Sequence, residues 1–170
     1  MVPKMGYEAW IRSFKAFLDA GIEAEGVLIG GGPEFEKIGQ LLVESELNER
    51  VELLGHQPFT CVESYLRSMD VLLFTGAVSS NGDQAGFPNI LGEAMAYGLP
   101  IISSRVGGVC EVIETGKTGW LADTEPARVE ALQRLIQDVE LREQVVQSAR
   151  AWVETSFDVQ RNVATLLERF

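Results

Sequence analysis

The sequence predicts an α/β fold, a parallel sheet with helices on both faces, and three observations carry that reading. Short apolar runs of strand length alternate with amphipathic stretches of helical period. Glycine-rich turns follow the runs that end at Ile29, Leu54, Phe74 and Ser103, where strand must hand over to helix. The 170 residues, 46% hydrophobic and 23% charged, suit one globular domain able to bury a core. Ligands of such sheets sit at the carboxyl ends of the strands, so these turns could line one cleft.

Taken in order, residues 1–5 are too short to define an element. From Tyr7 a helix is expected, with Trp10, Phe14, Phe17 and Leu18 on one face and Gly21 closing it. Glu25–Gly30 reads as a buried strand, and Gly30-Gly31-Gly32-Pro33 as a tight turn. Pro33 and Glu34 then suit a helix start, with Phe35, Ile38, Leu41 and Leu42 as its stripe. Val51–Leu54 is a second strand, Val62–Ser68 a short helix, and Val71–Phe74 a third strand. The connection Thr75–Ala85 exceeds the usual two to six residues or so for a turn after a parallel strand, which hints at function. A helix over Pro88–Tyr97, a strand at Ile101–Ser103, a helix near Cys110–Glu114 and a last strand at Trp120–Ala122 follow. From Pro126 the pattern is helical throughout. Val129, Leu132, Leu135, Ile136 and Val139 form one stripe, Leu141, Val145, Trp152 and Val153 a second, and Val159, Val163, Leu166, Leu167 and Phe170 a third.

Composition excludes several functions. A net charge of −11, with a pI near 4.5, argues against a surface that tracks nucleic-acid phosphates. Any anionic ligand must be held locally, by amides and a few cations. Cys61 and Cys110 are too few and too far apart for a disulfide framework, and with the single His56 they give no metal-ligand spacing. The sequence shows no apolar run near 18 residues and no signal peptide, so the expected compartment is the cytoplasm.

The most informative stretch is Gly82–Gly98, which begins as a polar, glycine-rich loop and ends as a helix. Pro88 suits the first helical position, Gly98 the left-handed close, and Pro100 blocks extension. The free N–H groups of Asn89, Ile90 and Leu91 would then point into the loop at the positive end of the helix dipole, an anion site. Further along, Glu93 is a lone carboxylate among small residues, and a carboxylate accepts well from two vicinal hydroxyls such as those of ribose. A helix that merely packs on a sheet reads equally well from spacing alone.

Other motifs are weaker. Gly30–Pro33 matches neither the dinucleotide fingerprint nor a P-loop, and reads first as punctuation. Arg105, beside the Gly107-Gly108 turn, could meet a phosphate, although a solvated arginine is the simpler reading. His56 has no paired nucleophile and suits a loop hydrogen bond. Trp10, Trp120 and Trp152 lie on apolar faces as core residues.

The run Gly86-Phe87-Pro88-Asn89-Ile90-Leu91-Gly92-Glu93-Ala94-Met95-Ala96-Tyr97-Gly98-Leu99-Pro100-Ile101-Ile102 resembles the E-G-F-G-x-x-x-x-E-A-M-A-x-G-x-P-V-V signature of retaining glycosyltransferases, the GT-B enzymes of family four. Val27–Glu34, Val51–His56, Asp70–Phe74 and Gly107–Leu121 fall in the order and spacing of that family's flanking motifs. The similarity covers nearly the whole chain but matches only the C-terminal, donor-binding half of such an enzyme. The resemblance therefore implies a Rossmann-like parallel sheet forming a single nucleotide-sugar-binding domain over residues 1–170, with the N-terminal acceptor domain absent.

Carried over by position, the resemblance makes Glu93 the ribose ligand and the amides of Asn89, Ile90 and Leu91 those that face the diphosphate. Leu54 and Gly55 become the strand exit whose backbone meets the base, and Gly86, Phe87 and Pro88 the donor-sugar loop. The sequence departs from the family at three places. Ala85 stands where the motif's first Glu helps hold the donor sugar, and Asp83 or another loop residue would have to substitute. Pro88 replaces a glycine and removes one N–H. Met5 occupies the position of the lysine that neutralises the leaving diphosphate, leaving the adjacent Lys4 as the catalytic candidate, one residue out of register.

In this fold the first strand lies mid-sheet, in the order 3-2-1-4-5-6. Here that strand would precede Met1, so Val27–Gly30 and Val71–Phe74 should flank a gap, and the expectation is a fragment of a longer enzyme. Direct pairing of residues 26–30 with 70–74 would mean the sheet had closed, and a strand from residues 1–5 would contradict the idea. The implied function is the donor-binding domain of a retaining, hexosyltransferase-type enzyme in polysaccharide or lipopolysaccharide biosynthesis, inactive alone. It would need no metal and no cofactor beyond a UDP- or GDP-sugar substrate. It would bind no nucleic acid, and any peripheral association with the cytoplasmic face of a membrane would come through the missing half. The alternative is a non-catalytic nucleotide-binding or assembly module that pairs with a separate acceptor-binding subunit, favoured by Ala85 and Met5.

Overall fold

The computed structural model describes residues 1–78, 82 and 86–168. A 3₁₀ turn at Pro3–Met5 leads through Gly6, at φ 70°, into helix α1 (Tyr7–Asp19). Strand β1 (Gly26–Ile29), helix α2 (Phe35–Glu44), strand β2 (Val51–Leu54), helix α3 (Phe59–Ser68) and strand β3 (Leu72–Phe74) follow. Helix α4 (Asn89–Tyr97), strand β4 (Ile101–Ser103), a 3₁₀ turn at Gly107–Glu111 and strand β5 (Trp120–Leu121) complete the sheet region. Helices α5 (Glu125–Gln137), α6 (Val139–Ser156) and α7 (Val159–Leu167) close the chain.

Local chemistry sets these boundaries. Helix α1 buries Trp10, Ile11, Phe14 and Phe17, a stripe with the three-to-four-residue period of a helix face. Its end is turned by Gly21 at φ 78°. Helix α5 is capped by Thr124, whose hydroxyl accepts from the Ala127 N–H at 3.4 Å, and α6 by Asp138, which accepts from the Leu141 N–H at 2.9 Å.

Every strand pair is parallel, as expected. However, the strands form two sheets, β1–β2 and β3–β4–β5. The gap expected beside Val27–Gly30 is therefore present and has not closed. Residues 3–5 form a 3₁₀ turn and add no strand. The core is divided by sheet face, and alternate residues of β3, β4 and β5 feed two clusters. One cluster gathers Trp10, Phe14, Leu28, Ile38, Ile102 and Leu132. The other gathers Leu66, Phe74, Leu91, Met95, Ile101 and Val109.

Some expected boundaries shift. Helix α2 begins at Phe35 with Glu34 as its N-cap, because Pro33 stays in the turn. The helix near Cys110–Glu114 is instead the 3₁₀ turn at Gly107–Glu111, with Val109 fully buried beneath it. On α5 the buried face runs through Arg128, Ala131, Leu132 and Leu135, which leaves Ile136 and the first residue of α6, Val139, exposed. Among the described residues no helix is long and apolar enough to cross a membrane.

Candidate functional site

The carboxyl ends of the strands are tied together along one edge. The Gly30 N–H reaches the carbonyls of Leu54 and Gly55 at 3.0 and 3.1 Å, so the β1 and β2 exits share a bond. The Ser104 N–H donates to the Phe74 carbonyl at 2.9 Å, and its hydroxyl to the Gly76 carbonyl at 2.6 Å, joining the β4 and β3 exits. The N-terminal turn is fastened to the same edge. The buried Thr75 hydroxyl donates to the Gly6 carbonyl at 2.8 Å, and the Ala77 N–H to the Lys4 carbonyl at 3.0 Å. The backbone of Lys4, the catalytic candidate, is thus held at the exit of β3. The side chain of Met5 instead packs into the second core cluster.

Helix α4 starts one residue later than its sequence suggests. Pro88 is the N-cap, with extended φ −72° and ψ 117°, and Asn89 is the first helical residue. Proline's missing N–H is harmless at either position, so composition alone does not separate them. A further correction concerns Leu91, whose N–H donates to the Pro88 carbonyl at 3.0 Å. Of the three amides expected to face a ligand, those of Asn89 and Ile90 remain. Gly98, at φ 75°, closes the helix as expected, and the Leu99 N–H reaches back to the Ala94 carbonyl at 2.9 Å.

Glu93 is half-buried on the outer face of α4, in a cleft of about 650 Å³. Asn89 and Gly92 line the cleft beside it, and Val153, Glu154, Phe157 and Asp158 face it from the end of α6. No hydrogen bond or ion pair ties Glu93 to another described residue. Its carboxylate is therefore available to a ligand. Although three carboxylates line this cleft, no group of His, Cys, Asp or Glu among the described residues is placed to hold a metal ion.

The Gly86–Pro88 loop is braced from two sides. The Gly108 N–H donates to the Gly86 carbonyl at 3.2 Å, and the Phe87 ring lies 5.0 Å from that of Phe157. Phe157 in turn sits 5.5 Å from Trp152. Ala85 and Asp83, on which the sugar-binding expectation turned, lie outside the described residues.

The structure brings Glu93, Asn89 and the Gly86–Pro88 loop into one neighbourhood and keeps others apart. Leu54 and Gly55 sit at the β1–β2 end of the edge, the Ile90 side chain faces a separate cavity, and Leu91 is fully buried. Arg105 is exposed, as the simpler reading has it, and forms a surface ion pair. Its guanidinium and its N–H hold the two Asp123 oxygens at 2.9 and 2.7 Å. The backbone N–H, followed by the guanidinium, holds the Asp123 carboxyl below the usual carboxylate range. His56 is exposed beside Gly31 and makes no hydrogen bond among the described residues.

Sequence reading missed Arg128. It is 3% exposed, donates to the Ala122 and Asp123 carbonyls at 3.0 Å each, and reaches the Ser13 hydroxyl at 2.9 Å. Burial pushes its pKa down, opposed by Glu125 and Asp123. The only available signal was one arginine on an otherwise apolar stripe.

Residues 1–152 match the family model described as glycosyl transferases group 1. Over 174 aligned residues the chain is 34% identical to the amylovoran biosynthesis glycosyltransferase AmsK of Erwinia amylovora, covering 99% of this chain and 43% of that protein. Among solved structures, Anabaena Alr3699/HepE in complex with UDP superposes with a TM-score of 0.83 at 20% identity, over 99% of this chain and 46% of that one. The C-terminal domain of the group 1 family protein LpcC from Francisella tularensis gives a TM-score of 0.77 at 20% identity, over 94% of this chain and 83% of that one. The chain thus spans less than half the length of the curated relative it matches.

Proposed function

The chain belongs to the group 1 glycosyl transferases and has the fold of a GT-B C-terminal domain, and from that premise we propose that it is the donor-binding domain of an enzyme moving a hexosyl residue from a nucleotide sugar with retention. The single observation that carries this reading is the unpartnered, half-buried Glu93 in a cleft that begins at the N-terminus of α4.

In this reading Glu93 accepts the two ribose hydroxyls. The amides of Asn89 and Ile90, at the positive end of the helix, meet the diphosphate. The backbone of Leu54 and Gly55 meets the base, and the Gly86–Pro88 loop the sugar. Charge developing on the leaving diphosphate is stabilised by those amides and by Lys4. That the Anabaena neighbour was solved with UDP supports a uridine nucleotide. The name of the Erwinia relative supports the assembly of an extracellular polysaccharide.

A second reading, a module that binds nucleotide without transferring sugar, is favoured by one observation. Met5, at the expected lysine position, turns into the core. Calorimetric titration with UDP and with GDP tests the shared step. Glu93→Ala should weaken binding by about tenfold or more, the weight of a lost charge-assisted hydrogen bond. Binding unchanged by that substitution overturns the ribose assignment.

A further inference from the structure

The residues that follow β4 are bonded to more of the chain than a turn requires. Beyond the end of a ladder, buried backbone groups must find other partners. The Ser104 N–H continues the ladder once, to the Phe74 carbonyl at 2.9 Å. Its side chain reaches further. The hydroxyl of Ser104, which is 7% exposed, donates at 2.6 Å to the carbonyl of Gly76, past the end of β3.

Gly76 lies between two residues that hold the N-terminal turn. On one side the Thr75 hydroxyl donates to the Gly6 carbonyl at 2.8 Å, and on the other the Ala77 N–H donates to the Lys4 carbonyl at 3.0 Å. Gly76 is itself buried and tightly enclosed. A Cβ there would lie 2.6 Å from the Phe74 ring and 2.8 Å from Val106 Cγ1. Ser104 thus fixes the middle of a strip whose outer residues carry the backbone of Lys4 and Gly6.

The same segment reaches the other part of the site. Arg105 is anchored at the β5 exit by Asp123, and Val106 is buried. The Gly108 N–H then donates to the Gly86 carbonyl at 3.2 Å. Gly86 leads through Phe87 into Pro88, the N-cap of α4. Residues 104–108 therefore bond the chain at both Gly76 and Gly86.

We propose that Ser104 is a positioning residue for the donor diphosphate, an inference that rests on the donor-site reading above. In that reading the diphosphate charge is met by Lys4 and by the amides of Asn89 and Ile90. The supports of the two sets, through Gly76 and Ala77 and through Gly86, converge on residues 104–108. Electrostatic stabilisation depends on such groups being fixed before charge develops. Ser104 touches no ligand in this scheme. Its hydroxyl holds the groups that do in one frame, and losing it leaves the buried Gly76 carbonyl without this donor. The groups assigned to base and ribose are held otherwise. Leu54 and Gly55 sit at the β2 exit, and Glu93 on the body of α4, which Leu91 and Met95 anchor in the core.

The test compares UDP with uridine, which keeps the base and ribose but lacks the diphosphate. Titrations followed by NMR give both affinities for the 170-residue chain and its variants. Ser104→Ala should lower UDP affinity at least about fivefold, the weight of one neutral hydrogen bond, and leave uridine affinity unchanged. Ser104→Thr and Ser104→Val share one shape and differ in the hydroxyl. The Thr variant should bind UDP at least about fivefold more tightly than the Val variant. Ser13→Ala deletes another buried hydroxyl, on α1, and should leave the ratio of UDP to uridine affinity unchanged. Amide exchange in Ser104→Ala should quicken at Ala77 but not at Gly30, at the β1 exit.

UDP and uridine affinities that fall together overturn the proposal, because the effect is then general loss of structure. So does a UDP affinity that is the same in the Thr and Val variants. A parent chain that binds UDP no more tightly than uridine overturns the donor-site reading itself, which keeps the two failures apart.

Discussion

The hydroxyl of Thr75, at the end of β3, donates to the carbonyl of Gly6 at 2.8 Å across 69 residues of chain. The contact is close enough that a Cβ on Gly6 would lie 1.7 Å from the Thr75 carbonyl oxygen, and Gly6 also holds φ at 70°. Gly6→Ala should therefore cost about 3 kcal/mol or more, combining left-handed strain with a backbone clash. Thr75→Val leaves the Gly6 carbonyl without its donor and should cost about 1–3 kcal/mol. Urea denaturation measures both. Nucleotide binding should weaken along with stability, because the same contact holds the Lys4 turn at the strand exits.

Arg128→Met keeps the length of the side chain but leaves the Ala122 and Asp123 carbonyls without this donor. A loss of about 3 kcal/mol follows, which in a chain of this size lowers the melting temperature by about 6–12 °C. Calorimetry checks this. Arg128→Lys should recover only part of the loss, because an ammonium cannot reproduce the planar fork.

The Asp123 carboxyl has a lowered pKa in the folded chain, so it binds its proton less readily there than when unfolded. Its contribution is fully present above the unfolded value, about 4, and is lost as the pH falls through the lower folded value. The pair with Arg105 is half-exposed, which limits its weight to about 1 kcal/mol. Melting curves of the parent and Asp123→Asn should differ at pH 7 and draw together as the pH approaches 3. A constant difference would assign the effect to the neutral hydrogen bond.

Phe157 is 42% exposed, yet its ring lies 5.0 Å from Phe87. Phe157→Ala should cost only about 1 kcal/mol in stability, since so little area is withdrawn from water. It should nevertheless speed amide exchange at Gly86 and Phe87 and weaken UDP binding more than a comparable change on a remote face. Exchange rates and calorimetry read the two effects separately.

Much of this was legible in the sequence. The parallel strands, the gap beside β1 and the close of α4 at Gly98 follow from period, from the expected strand order and from glycine's tolerance of positive φ. Other features depend on partners remote in the chain. Whether the Leu91 amide is free is decided by how Pro88 turns, and both choices suit proline. Arg128 gives no local sign that Ser13, 115 residues away, will meet it. The pairing of Arg105 with Asp123 has the same cause, because it requires knowing that the β4 and β5 exits lie side by side.

Ile101 and Ile102 are neighbours in sequence and both fully buried, yet they belong to different cores. Successive residues of a strand point to opposite faces, so β4 feeds both cores at once. Melting should accordingly be a single all-or-none event with equal calorimetric and van't Hoff enthalpies. Trimming either Ile101 or Ile102 to valine should lower the same transition. Three residues of chain thus couple the layers on the two sides of the sheet.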